Sequence, residues 1–221
     1  MNNRITIGIP SKGRLKDKAI SFFEDSGFKI LQSDKERNYF ASVENSPNIK
    51  IIYLHAKEII QRLGDGTLDV GVSGLDLLKE SEKNLRDKIL IQNKLNFGKA
   101  NLVVAVPDDW IDVQTIADLE EVSFDIRFKR NTRLRVATKY PNLTNDFFLS
   151  KGVTQYKLIP SLGATETYPF IGSSEIITDI TSTGKTLADN NLRVLKDGQI
   201  LVSTACLFVA KKKAAKLQPF F

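Results

Sequence analysis

The chain predicts an α/β protein of two lobes. Apolar runs of strand period alternate with stretches of helical period along nearly all of the 221 residues. One long apolar run near the end, Ile200 to Val209, has no evident strand partner among the elements just before it. Such a strand is expected to return to the first set of elements, giving two α/β lobes joined by crossing strands. The expected division is residues 1–97 with 195–221 in lobe I and 98–194 in lobe II. Strand ends facing each other in that arrangement would form a ligand cleft.

In the first set, Arg4 to Pro10 (RITIGIP) alternates like a strand and stops at Pro10-Ser11-Lys12-Gly13. Leu15, Ala19, Ile20, Phe22 and Phe23 then recur at helical spacing. Lys50 to Leu54 is a second strand, Ala56 to Leu63 a helix, and Gly64-Asp65-Gly66 a turn. Leu68 to Val72 is a short third strand that Ser73-Gly74 ends before a helix from Leu75 to Lys79. A mostly parallel sheet is the expectation. The second set begins with the strand Asn101 to Val106, closed by Pro107. A short helix at Ile116 to Leu119, a strand Leu134 to Thr138 and an amphipathic helix Leu143 to Lys151 follow. Next come a strand Tyr156 to Ile159, a loop from Gly163 to Pro169, a strand into Asp179 and a helix after Gly184.

Composition narrows the functional classes. The chain is 42% hydrophobic and 26% charged, ordinary for a globular protein. Charged residues from Arg4 to Asp25 interrupt any secretory signal, and no apolar run approaches the roughly 20 residues of a membrane span, so a cytoplasmic location is expected. Cys206 and His55 are the only residues of their kinds. A zinc site, a disulfide framework and a Cys–His nucleophile are therefore poorly supported. Cys206, inside ACLFVA, reads as a small core residue, and His55 as a strand-end or surface residue rather than a proton carrier. The net charge of +6 admits anionic partners. The basic residues are dispersed among acidic ones rather than gathered with aromatics, which favours anionic metabolites over nucleic acid. The cluster Lys211-Lys212-Lys213 with Lys216 reads as a solvated helix or tail.

The stretch TDITSTGKTLAD, residues 178–189, contains the Gly-Lys-Thr of a nucleotide loop. That loop needs a glycine five positions earlier, where its backbone wraps the phosphates, and the residue here is Asp179. A carboxylate there repels a triphosphate. A strand that delivers hydroxyls and backbone N–H groups to a helix start instead suits one phosphate monoester, and Asp179 suits hydrogen bonds with hydroxyls. Phosphate plus diol suggests a sugar phosphate; an ordinary Ser/Thr helix cap is the alternative. GTLDVGVSGLDLL (66–78) partly echoes this stretch as strand, carboxylate, hydroxyl-Gly and helix, so Ser73 and Gly74 join the candidate substrate-binding residues.

Glu166, Gly172, Ser174, Ile177, Asp179, Ile180, Thr183, Gly184, Thr186 and Leu187 fall at the spacing of the signature of the ATP phosphoribosyltransferases. The segments IPSKGRL (9–15), DVGVSGLDLL (69–78), RVATKYPNLT (135–144) and SLGATET (161–167) extend the resemblance over nearly the whole chain. The resemblance implies two lobes like those of type II periplasmic binding proteins, with the active site in the interlobe cleft. It implies transfer of 5-phosphoribosyl from its 1-diphosphate to N1 of ATP, with Mg²⁺, as the first step of histidine biosynthesis. Asp179, Thr181, Ser182, Thr183, Gly184, Lys185 and Thr186 then belong to the ribose-5-phosphate loop. Glu166 and Asp179 resemble the acidic residues near the ribose hydroxyls and the metal. Lys12, Gly13 and Arg14 look like the basic turn at the nucleotide and diphosphate end, and Arg37 like an arginine at the leaving diphosphate.

The chain ends at Phe221, about where the family's catalytic core ends, so the short form is expected, without a C-terminal regulatory domain. By resemblance it works as a homodimer, assembled into a hetero-octamer with a regulatory subunit resembling a histidyl-tRNA synthetase. His55 and Glu58 stand where many members have arginine and aspartate, and Lys185 is larger than the loop residue expected. Lys185 adds charge near the sugar phosphate or points to solvent. The chemistry needs no covalent nucleophile, only positioning and electrostatics. The competing readings are a non-catalytic small-anion binding module of the same two-lobe fold and, more weakly, a P-loop NTPase.

Overall fold

The computed structural model describes residues 4–31 and 39–217. The chain divides into two compact units, after Lys99 and again after Ser203. The return point thus lies later than the expected residue 195. In chain order the first unit has β1 (Ile5–Pro10), α1 (Arg14–Asp25), β2 (Ile30–Leu31), β3 (Phe40–Val43), β4 (Ser46–Leu54), α2 (Ala56–Asp65), β5 (Val70–Gly74), α3 (Leu75–Glu80), α4 (Lys83–Arg86) and β6 (Ile89–Lys94). The second has β7 (Ala100–Pro107), α5 (Ile116–Arg130), β8 (Leu134–Thr138), α6 (Pro141–Ser150), β9 (Tyr156–Pro160), β10 (Ile176–Thr181), α7 (Lys185–Asp189) and β11 (Leu192–Ser203). The chain then returns to the first unit through β12 (Ala205–Ala210) and α8 (Ala214–Leu217).

Among the described residues the first unit's sheet has the order β2-β3-β4-β1-β5-β12-β6. Only β4, β1 and β5 run parallel; the β2-β3-β4 flank and the β5-β12-β6 flank are antiparallel. The second sheet, β11-β7-β10-β8-β9, is parallel only across β10, β8 and β9. The mostly parallel expectation is corrected to a parallel trio in each unit with antiparallel additions. Parallel strands need a crossover connection, which α2 supplies between β4 and β5 and α6 between β8 and β9; β3 and β4 are joined by a hairpin, and β7 and β12 arrive from the other unit. The β3-β4 hairpin turns at Asn45, whose φ of 56° suits asparagine better than most side chains.

The long strand expected at Ile200 to Val209 is two strands. Residues up to Ser203 pair with β7, and Ala205 to Val209 pair with β5. Between them the Thr204 hydroxyl donates to the carbonyls of Leu95 and Phe97, at 2.8 and 2.9 Å. α5 starts at a capping box of Thr115 and Asp118 and continues to Arg130 rather than stopping at Leu119, with Ser123 and Ile126 still buried beyond that point.

Each parallel trio is covered on both faces. In the first unit Ile7, Ile9 and Ile51 pack with Ala19 and Phe23 of α1. Ile59, Ile60 and Leu63 of α2 pack with Leu68 and Phe208. Leu207 and Val209 serve the first cluster and Cys206 and Phe208 the second, so β12 is buried on both faces and reads as an unbroken apolar run. Gly8 and Gly71 are paired across β1 and β5. A Cβ on Gly71 would lie 2.5 Å from Ile59 Cγ2, and one on Gly8 2.5 Å from Leu68 Cδ1. The glycine pair lets α2 sit close to the sheet. In the second unit Ile116, Leu119 and Phe148 pack against Val104, Val106, Val136 and Ile176.

Candidate functional site

In the second unit Thr138, the last residue of β8, is in register with Pro160, the last of β9, and with Thr178 of β10, which runs on through Asp179 to Thr181. Lys139 after β8, the turn that carries Glu166 and the last residues of β10 share one rim. A cavity of about 270 Å³ opens there, lined by Lys139, Glu166, Asp179, Thr186, Leu187 and the turn 180–183. Ligands of open α/β sheets bind outside such carboxyl ends, next to a strand whose neighbours leave in opposite directions, as β8 is here.

Asp179 is 8% exposed. Its Oδ1 accepts the Ile180 N–H at 2.8 Å, and its Oδ2 lies 3.9 Å from Lys139 Nζ. Burial pushes the carboxyl above the ordinary carboxylate range, and Glu166 adds to the rise. The Ile180 N–H, Lys139 and the Thr165 hydroxyl pull against it. Glu166 reaches the cavity on a short 3-10 turn, Thr165–Thr167, that hydrogen bonds hold in place. The Ser161 N–H donates to the Thr138 carbonyl at 2.9 Å, and the Ser161 and Thr165 hydroxyls are 2.9 Å apart.

The loop after β10 is shaped by its own threonines. The Gly184 N–H donates to Thr181 Oγ1 at 2.9 Å and the Lys185 N–H to Thr183 Oγ1 at 3.4 Å. Gly184 takes a φ of 76°, and α7 has five residues. So short a helix contributes little dipole, and the loop's hydroxyls and Lys139 are the polar groups beside the cavity. Ser182, Thr183, Lys185 and Thr186 are exposed.

In the first unit β1 is the central strand of the parallel trio. Pro10 pairs with Leu54, and the Ser11 N–H donates to the Leu54 carbonyl at 2.8 Å. Lys12, Gly13, Arg14, His55, Ser73 and Gly74 thus gather at one edge of that sheet. Gly13 has φ 73° and ψ −179°, a conformation that side chains resist, and it turns the chain into α1. Lys12 and Arg14 are exposed and not salt-bridged among the described residues. Ser73 is fully buried and donates its hydroxyl to the Ala56 carbonyl at 2.8 Å, holding the start of α2. His55 is the N-cap of α2, its Nδ1 accepting the Lys57 N–H at 3.3 Å. Cys206 is fully buried, and burial raises its thiol. Arg37 lies outside the described residues.

The echo between the two glycine stretches does not carry into three dimensions. Asp69 precedes β5, at the opposite end from Gly74, whereas Asp179 lies near the carboxyl end of β10. Asp69 accepts the Thr6 N–H and hydroxyl at 2.8 and 2.9 Å and pairs with Lys213 at 2.6 Å. Lys213 is therefore an anchor rather than part of a solvated tail.

Residue reasoning missed Lys139 and the hydroxyl cluster beneath it. Thr178 donates to Thr138 at 2.6 Å, Thr144 lies 2.7 Å from Thr178, and the Tyr140 N–H donates to Thr138 at 2.9 Å. Lys139, Thr138 and Thr144 lie within RVATKYPNLT but Thr178 lies on β10, and the available signal was a lysine directly after a strand end.

A family model described as HisG: ATP phosphoribosyltransferase matches residues 55–219. An ATP phosphoribosyltransferase of Brucella melitensis biotype 2 (strain ATCC 23457) is 47% identical over 209 residues, covering 94% of this chain and 90% of that protein. Among solved structures, an ATP phosphoribosyl transferase (HisG:HisZ) complex from Thermotoga maritima is similar with a TM-score of 0.74 and 25% identity, over 97% of this chain and 92% of that one. The probable amino-acid ABC transporter extracellular-binding protein ytmK of Bacillus subtilis is similar in fold alone, with a TM-score of 0.56 and 12% identity over 98% and 88%.

Proposed function

The chain belongs to the ATP phosphoribosyltransferase family, and from that premise we propose which of its residues perform the reaction. The activity joins N1 of the ATP adenine to C1 of 5-phosphoribosyl 1-diphosphate, giving N1-(5-phosphoribosyl)-ATP and pyrophosphate, the first step of histidine biosynthesis. The observation that carries the assignment of residues is that Asp179, Thr183 and Thr186 of one loop and Glu166 of a separate turn, all signature positions, line one cavity.

In this reading the sugar phosphate occupies that cavity. Thr181, Ser182, Thr183, Gly184 and Thr186 hold its 5-phosphate through hydroxyls and backbone, and Lys185 stays at the solvent edge. Asp179 and Glu166 accept hydrogen bonds from the ribose hydroxyls. The basic turn Lys12-Gly13-Arg14 of the first unit, with Arg37, stabilises charge growing on the departing diphosphate, where a cation acts mainly in the transition state. Ser73 acts indirectly, by fixing the start of α2 beside Gly74.

The family requires a divalent metal, and we assign it as Mg²⁺. Glu166 and Asp179 supply hard oxygen donors on the cavity wall. Among the described residues no group of three or more His, Cys, Asp or Glu side chains is arranged to hold a metal. That donor set fits a cation brought in on substrate oxygens, with one or two carboxylates completing its shell. Bound there, it would neutralise the diphosphate.

Among the described residues no helix is long and apolar enough to cross a membrane, and we assign the protein to the cytoplasm with the biosynthetic enzymes it resembles. The Thermotoga maritima neighbour is a HisG:HisZ complex. By that likeness we assign this chain a regulatory partner, resembling a histidyl-tRNA synthetase, in a hetero-octamer built on homodimers.

The test is an ultraviolet assay of the purified chain with ATP, 5-phosphoribosyl 1-diphosphate and Mg²⁺, alone and with the regulatory subunit. Appearance of N1-substituted adenine is expected. ATP hydrolysis that proceeds without the ribosyl diphosphate would overturn the reading.

A further inference from the structure

We propose that the exposed face of α5 is a two-fold interface, on which a second copy of this chain lays its own α5 antiparallel. The proposal rests on the homodimer assigned above and names its surface.

Spacing defines the face. Ile116, Leu119, Ser123 and Ile126 turn one side of α5 into the core. Ala117, Glu121, Phe124 and Phe128 recur at steps of four, three and four residues on another side, which lines them up along the helix as a seam for a second helix. All four are exposed, Phe128 at 90% and Phe124 at 48%. A single exposed apolar residue is ordinary. Two phenylalanines one turn apart and in line with an alanine form the kind of surface that a helix–helix contact buries. Leu149 of α6 is exposed as well, and its neighbour Phe148 packs in the same cluster as the buried side of α5, so both helices belong to one outer layer.

Charge selects the occupant. In the helix sequence IADLEEVSFDIRFKR every acidic residue, Asp118, Glu120, Glu121 and Asp125, comes before every basic one, Arg127, Lys129 and Arg130. Two copies laid parallel would set like charges side by side. Laid antiparallel about Phe124, they bring the two Phe124 rings together, Phe128 of each copy beside Glu120 of the other, and Glu121 of each opposite Arg127 of the other. Each pairing then occurs twice, as a two-fold axis requires. Glu121, Arg127 and Arg130 are exposed and make no salt bridge among the described residues, whereas Lys129 and Asp125 already pair with each other at 2.5 Å. A polyanion such as nucleic acid would meet the acidic half of the helix together with the basic half, and a second copy satisfies both.

The experiment is sedimentation velocity on the full chain over a dilution series, with circular dichroism to confirm folding. It compares wild type, Phe128→Glu, Glu121→Arg, Arg127→Glu and the double variant Glu121→Arg/Arg127→Glu. A wild-type dimer is expected. Phe128 packs on nothing within the chain's core, so Phe128→Glu is expected to fold. It removes an apolar side chain from both copies and adds charge beside Glu120, and the dimer is expected to weaken about 100-fold. Each single charge reversal is expected to weaken it about tenfold at low salt, and the double variant to return to within about threefold of wild type. A dimer unchanged in Phe128→Glu overturns the proposal and leaves the homodimer reading standing; loss of regulatory-subunit binding in that variant would then give the face to that subunit. A double variant no tighter than the single ones overturns the antiparallel pairing. A wild type that stays monomeric, alone and with the regulatory subunit, removes the homodimer reading and this proposal together.

Discussion

The Arg135 guanidinium grips the Glu175 carboxylate from β8 to the start of β10, with NH2 to Oε1 at 2.7 Å and Nε to both oxygens at 3.1 and 3.2 Å. The Arg135 backbone N–H adds a bond of 2.7 Å to Oε2, and NH1 reaches the Gly172 carbonyl at 2.9 Å. One side chain thus fastens the loop containing Glu166 to the strand that leads into Lys139. Burial alone would raise the Glu175 carboxyl, but the Arg135 hydrogen bonds hold it below its ordinary value. A depressed carboxylate contributes stability that is present above its unfolded pKa and lost as pH falls through its folded value. Glu175→Gln is expected to cost about 1–2 kcal/mol at neutral pH. In urea melts the gap between variant and wild type should close on acidification; a gap independent of pH would show that the charge is not what matters.

Asp179 has the opposite sign. Its folded pKa is raised, so its ionisation costs stability above the unfolded value, and protonation relieves that cost. Asp179→Asn is expected to stabilise the substrate-free protein by about 1 kcal/mol, while kcat/KM falls about 100-fold. Denaturant midpoints and steady-state rates measured on one preparation test both halves. Retained activity would remove Asp179 from the site.

Thr186 stands exposed on the cavity wall with no structural hydrogen bond of its side chain among the described residues. Thr186→Val should therefore fold normally and raise the KM for the ribosyl diphosphate about threefold to tenfold, the loss of one hydrogen bond. The KM for ATP is expected to stay unchanged. Equal effects on both substrates would place the hydroxyl elsewhere.

Thr178→Val removes one member of the buried hydroxyl cluster and leaves Thr138 and Thr144 short of a partner. Valine copies the shape and not the hydroxyl. A loss of about 1–3 kcal/mol is expected in thermal or urea melts, and Thr178→Ser should recover most of it. A neutral Thr178→Val would mean that the cluster contributes nothing to holding β8 and β10 in register.

Much of the site was legible because its residues are neighbours in sequence. The loop from Asp179 to Thr186 is continuous, and one misplaced residue, Asp179 where a nucleotide loop needs glycine, was enough to reject the triphosphate reading. Lys12, Gly13 and Arg14 were legible as a turn for the same reason, since the glycine and the end of the strand are adjacent.

What the sequence by itself determined was the alternation of strands and helices around its motifs and the family, while β2, β3, α4 and β6 were not among the expected elements. The alternation and the family follow from local period, local turn chemistry and collinear motifs. Only the tertiary structure decided that Lys139 stands beside Asp179, because the two meet through a strand pairing forty residues apart. It also decided that the apolar run around Thr204 is two strands in two sheets. A backbone hydrogen bond between distant strands leaves no periodicity in either strand, and a run buried on both faces looks the same whichever sheet receives it.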